Sequence, residues 1–150
     1  MIDRQFFNLT QKLVIPASSE VALIGTTNGK QAQLLSESYD SSLGGFEIEL
    51  KEGVSFTGGQ TLTAVNRNTT SPQLSTMVLT GGATVTGGNT LFLKGVPIAD
   101  TPQARTRAFN QFVMPWLLKS NTKYAIILSN LNAVELTVYT SLNWIEHELL

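Results

Sequence analysis

Residues 124–144 read YAIILSNLNAVELTVYTSLNW. Tyr124 to Leu128 is an almost continuous apolar run, the mark of a strand buried on both faces. Leu136, Val138, Thr140, Leu142 and Trp144 then alternate with Glu135, Thr137, Tyr139, Ser141 and Asn143, the two-residue period of a strand with one buried and one wet face. Asn130-Leu131-Asn132 between them reads as a turn, so this stretch predicts an antiparallel hairpin.

The same logic extends outward. Phe46, Ile48 and Leu50 fall on one face of a strand, with Glu47, Glu49 and Lys51 on the other. Strands are also expected at Lys12–Ile15, Val21–Ile24, Gln31–Ser36, Gln60–Asn66, Thr90–Lys94 and Leu74–Leu79, the last buried on both faces. Gly-Gly pairs at 44–45, 58–59, 81–82 and 87–88 read as the tight turns between them. Only Thr101–Phe112, following Pro102, offers a helical pattern. The expected fold is all-β: one antiparallel β-sandwich over residues 12–150, with jelly roll as the leading topology and at most one short helix.

Residues 1–11 read as an amino-terminal arm. Ile2, Phe6, Phe7 and Leu9 make it apolar, and a free terminus seldom carries such residues unless something covers them. A partner or a sister subunit is the expected cover. Arg4, Arg105, Arg107 and Trp116 complete the candidate protein interface.

Composition narrows the function. Charged residues are 14% of the 150, well below the usual quarter, and the net charge is -1. The ten Lys and Arg residues are scattered from Arg4 to Lys123, so no basic patch awaits nucleic acid. Polarity comes instead from 18 Thr, 12 Ser and 10 Asn, a neutral surface that lies against a neighbour without desolvating charge. The chain has no cysteine, so thiolate metal sites and thiol chemistry are excluded. No apolar run reaches the roughly 20 residues of a membrane helix, and MIDRQFF lacks the pattern of a secretory signal.

No catalytic constellation stands out, and no cofactor or metal is expected. His147 is the only histidine and reads as a solvated residue at the end of the last strand. Gly25-Thr-Thr-Asn-Gly-Lys-Gln31 is one residue short of a phosphate-binding loop and has Gln where Ser or Thr would hold magnesium; Asn28-Gly29 is a turn. Glu47, Glu49 and Glu52 read as the wet face of a strand and its turn, not as a glycosidase pair. Trp144 continues the buried face of its strand.

The order of segments resembles that of the jelly-roll proteins that decorate and cement the capsids of tailed bacteriophages. It is carried by Phe46–Gly53, the Asn66-Arg67-Asn68 turn with Thr69, Thr70 and Ser71, the Gly-rich stretch 81–91, Leu118–Tyr124 and the closing Leu142-Asn-Trp-Ile-Glu-His147. That covers about two thirds of the chain, and Ile145 stands where a second aromatic is expected. The resemblance implies a non-enzymatic virion protein, made in the host cytoplasm, that binds the major capsid protein on the outer shell as a homo-oligomer, a dimer or trimer. The alternative from another class is a carbohydrate- or receptor-binding jelly roll of a tail fibre, which would need an exposed aromatic platform with polar neighbours.

Overall fold

In a computed structural model, which describes residues 4–97, 108–112 and 115–147, the described residues form strands and loops with no helix. The strands are β1 (Arg4–Ile15), β2 (Glu20–Thr26), β3 (Gln31–Ser41), β4 (Phe46–Glu52), β5 (Ser55–Thr57), β6 (Gln60–Leu62), β7 (Val65–Asn66), β8 (Val78–Thr86), β9 (Asn89–Val96), β10 (Ala108–Phe112), β11 (Trp116–Leu118), β12 (Lys123–Asn130) and β13 (Leu136–His147). One sheet runs β10-β3-β13-β1-β7, with β11 also beside β3; the other runs β5-β8-β2-β12-β4-β9, with β6 beside β8. Every pairing is antiparallel, and the two sheets pack face to face as a β-sandwich.

The pairings nest. β1 pairs with β13, β2 with β12, β3 with β10 and β11, and β4 with β9. Successive pairs fall in alternate sheets. The inward faces meet in one core of Phe7, Leu9, Ile15, Tyr39, Phe46, Ile48, Leu128, Leu136, Val138 and Trp144, among others. Phe7 and Trp144 stack with ring centroids 6.0 Å apart.

The hairpin expected at 124–144 is not there. β12 lies in one sheet and β13 in the other, and residues 131–135 cross between them. Period-two alternation fixes which face of a strand is buried, not which strand lies beside it. Asn130 makes the crossing: its buried amide donates to the carbonyls of Ile15, Pro16 and Val134 at 2.9–3.1 Å, while its Oδ1 accepts from the N–H of Asn132. The Asn132 amide in turn donates to the carbonyls of Gly44 and Gly45. The apolar run in β12 has two covers. Tyr124, Ile126 and Leu128 face the main core, while Ala125 and Ile127 lie under Val54, Phe56 and Val85 on the outer side.

Residues 4–11 are not an arm. They are the first two thirds of β1, whose every residue from Arg4 to Ile15 is in register with β13, and Phe7 and Leu9 are 1% and 2% exposed. Of the apolar terminal residues, Phe7 and Leu9 are covered by their own sandwich, whereas Phe6 stays exposed and Ile2 lies outside the described residues. Within the expected helix, Ala108–Phe112 is instead strand β10 against β3, and 101–107 lie outside the described residues. Leu74–Leu79 is not a buried strand, because β8 begins only at Val78 and Leu74 projects from a loop. Gly81-Gly82 is not a turn either. The register slips between Ala22 and Leu23 opposite it, and Gly82 takes a φ of +74° that glycine alone adopts readily, bending β8 so that its end carries β5 over the second sheet.

Candidate protein-binding surfaces

The outer face of the first sheet is a neutral hydrogen-bonding platform. Along β1, β13 and β3 the register sets Thr10, Ser141 and Ser38 in one row and Asn8, Asn143 and Ser36 in the next. The Asn8 amide donates to Ser141 Oγ and Asn143 Oδ1, both at 3.0 Å; Asn143 donates to Ser36 Oγ at 3.1 Å; Thr10 donates to Asn8 Oδ1 at 3.0 Å. These bonds hold the side chains in place before anything binds, which lowers the entropy lost on docking. The next row, Lys12, Tyr139 and Asp40, brings the platform's charges, with Lys12 Nζ 6.0 Å from the ring centroid of Tyr139, itself 52% exposed.

One edge of this platform is apolar. Phe6 on β1 is 44% exposed, Val65 on β7 is more so, and Leu74 beyond them is 78% exposed. The Leu74 loop is pinned on both sides. Asn66 Nδ2 donates to the Gln73 carbonyl at 3.1 Å, and the buried Glu146 carboxylate accepts from Ser75 Oγ, from the Thr76 N–H at 2.8 Å and from Thr76 Oγ1 at 2.5 Å. A large apolar side chain on a tied-down loop is the kind of anchor that fills a partner's pocket.

The candidate interface residues divide. Arg4 and Phe6 are exposed. Phe7 and Leu9 are core residues and offer nothing to a partner. Trp116 sits opposite Leu34, half-buried and packed against the core, because its strand puts it on the inward face. Ile2, Arg105 and Arg107 lie outside the described residues. Tyr139, Val65 and Leu74 are surface features outside the set expected from the sequence: Tyr139 is legible as an outward position on β13, whereas Leu74 has the pattern of part of a strand.

Titratable groups are dispersed. Among the described residues, no three His, Cys, Asp or Glu side chains gather as metal ligands. His147 ends β13 opposite Arg4 and Gln31. Glu52 accepts from Lys119 Nζ at 2.8 Å and from Tyr124 OH at 2.9 Å, and these bonds hold its carboxyl below the ordinary value. Burial, aided by Glu52, pushes the Tyr124 hydroxyl up to about 12. Glu49 accepts from Thr90 at 2.7 Å, so it is engaged across strands. Inside the sandwich, Tyr39 OH donates to Glu37 Oε1 at 2.7 Å, and burial raises the pKa of both. A pocket of about 50 Å3 between the sheets, lined by side chains such as Leu23, Leu50, Met77 and Trp144, is too small and too apolar for a polar substrate.

No protein-family model matches this sequence, and no curated protein matches it.

Proposed function

We propose that this chain is a non-enzymatic structural protein of a tailed-phage virion, one that lies on the outer surface of the capsid shell and stabilises it by binding the major capsid protein. The nested pairing of β1 with β13, β2 with β12, β3 with β10 and β11, and β4 with β9 carries the reading. Strands so paired and alternating between two sheets are read here as a jelly roll, an architecture of viral capsid and lectin domains. The fixed Asn-Ser-Thr platform with Phe6, Val65 and Leu74 at its edge supports protein binding, because it offers area and hydrogen bonds with few charges to desolvate. The mechanism is mechanical: a dimer or trimer spans neighbouring shell subunits, and several weak contacts per oligomer give high occupancy.

Tyr139 favours a second reading, a glycan-binding jelly roll of a tail fibre, since it is an exposed ring between Lys12 and Asp40, next to the row of Thr10, Ser141 and Ser38. Quantitative mass spectrometry of purified virions separates the two. Copies comparable in number with the major capsid subunit support the cement reading, far fewer copies support the fibre, and absence from the virion overturns both.

A further inference from the structure

β7 covers only the start of one edge of β1. It pairs Asn66 with Phe7 and Val65 with Asn8, and just beyond it the Arg67 N–H donates to the Phe6 carbonyl at 2.8 Å. In an antiparallel ladder a residue sends its N–H and C=O to the same side, and its neighbours send theirs to the other. Phe6 therefore faces β7, and so does Asn8. By the same alternation Thr10, Lys12 and Val14 turn their N–H and C=O groups to that edge, beyond the end of β7, where no strand of the described residues lies beside them. Phe7, Leu9, Gln11, Leu13 and Ile15 point theirs toward β13.

A groove of about 580 Å3 opens along this edge. Gln11 and Leu13 of β1 form one wall, Gln60 and Leu62 of β6 the other, and Val21 and Leu23 of β2 line its apolar depth. Gly81 and Gly82 at the β8 bulge add no side-chain bulk on its rim. We propose that this groove takes up an extended segment of another polypeptide as an added strand beside β1, its backbone pairing with Thr10, Lys12 and Val14 and its alternate side chains reaching Val21 and Leu23. The inference rests on the protein-binding reading above but not on the partner being a capsid.

The chemistry of the occupant follows from the lining. Its inward side chains are small and apolar, its outward ones neutral or acidic, since Lys12 is the groove's one charged lining residue. A second copy of β1 fits poorly. Antiparallel pairing centred on the open groups would set two Lys12 side chains together, and the β6 wall stands where the second sheet would have to lie.

The test uses the full chain and a displayed library of random uncharged and acidic seven-residue peptides. Peptides enriched on the chain are expected to slow amide exchange at Thr10, Lys12 and Val14 by about tenfold or more, leaving Gln11 and Leu13, already paired with β13, unchanged. Lys12→Pro deletes an N–H on the open side without removing a bond to β13, and should weaken binding about tenfold. Gln60→Trp, at an exposed position on the opposite wall, should weaken it comparably by filling the groove. Failure to enrich any peptide, enriched peptides that leave those three amides unchanged, or binding by both variants as tight as by the unaltered chain would overturn the proposal. Because the selection needs no virion, it succeeds or fails independently of the copy-number measurement.

Discussion

The indole N–H of Trp144 donates to Glu146 Oε2 at 2.8 Å, two residues farther along the same face of β13. The carboxylate also holds Ser75 and Thr76, so the ring packed on Phe7 and the loop that presents Leu74 share one anchor. Core and surface are thereby coupled: the strand that closes the sandwich also fixes the exposed apolar knob.

Trp144→Ala should destabilise the fold by about 3–5 kcal/mol, the range for truncating a buried large aromatic. Glu146→Ala should leave the Ser75, Thr76 and Trp144 donors to find new partners, at a cost of about 1–3 kcal/mol. Denaturant melts measure both. Limited proteolysis distinguishes them, with Glu146→Ala cut selectively between residues 66 and 77.

Deleting residues 1–9 should abolish cooperative folding. The deletion removes Phe7 and Leu9 from the core, about 3–6 kcal/mol of burial, together with half of the β1–β13 ladder, against a typical total stability of about 5–15 kcal/mol. A sharp thermal melt in the truncated chain would show that β1 is dispensable and restore the idea of a free arm.

Asn130→Asp keeps the side-chain shape but replaces the amide N–H2 with an oxygen facing the carbonyls of Ile15, Pro16 and Val134. Loss of both amide donors and burial of a charge against three acceptors should cost about 3 kcal/mol or more. A cost under about 1 kcal/mol in urea melts would mean that the β12–β13 crossing does not depend on this amide.

The strand faces of β4 and β13 were legible because each has a long, regular alternation with a charged or hydroxylated outer side. The local pattern understates β1. Its inward series Phe7, Leu9, Gln11, Leu13, Ile15 is broken by Gln11, and the outward Phe6 beside Phe7 mimics an unstructured apolar end. The alternation of β3 breaks at Ser36 because a bulge there shifts the register, setting Leu34 and Glu37 inward with two residues between them. The platform was half legible: alternation puts Asn8, Ser141 and Asn143 outward, but only the three-dimensional register shows that they bond to one another. Pairing partners and the open edge of β1 depend on contacts between distant parts of the chain, Phe7 with Asn66 and Arg4 with His147 among them, which no local pattern encodes.

Glu37 supplies a pH dependence whose sign can be worked out. Burial raises its carboxyl above the ordinary value of about 4.3, so between that value and the raised one the folded state binds more protons than the unfolded. Stability therefore falls as pH rises through that window and stays reduced above it, where a charged carboxylate is buried with Tyr39 OH as its donor. Glu37→Gln keeps an acceptor for Tyr39 and removes the charge. The variant should match or fall slightly below the wild type at pH 4, where Glu37 is neutral, and exceed it by a margin that grows up to neutrality. Glu52, whose carboxyl is held below its ordinary value by Lys119 and Tyr124, works in the opposite sense and is present in both proteins, so it cancels in the difference. Urea melts of the two proteins from pH 4 to pH 8 measure that difference; a constant gap across the range would show that Glu37 does not titrate inside the sandwich.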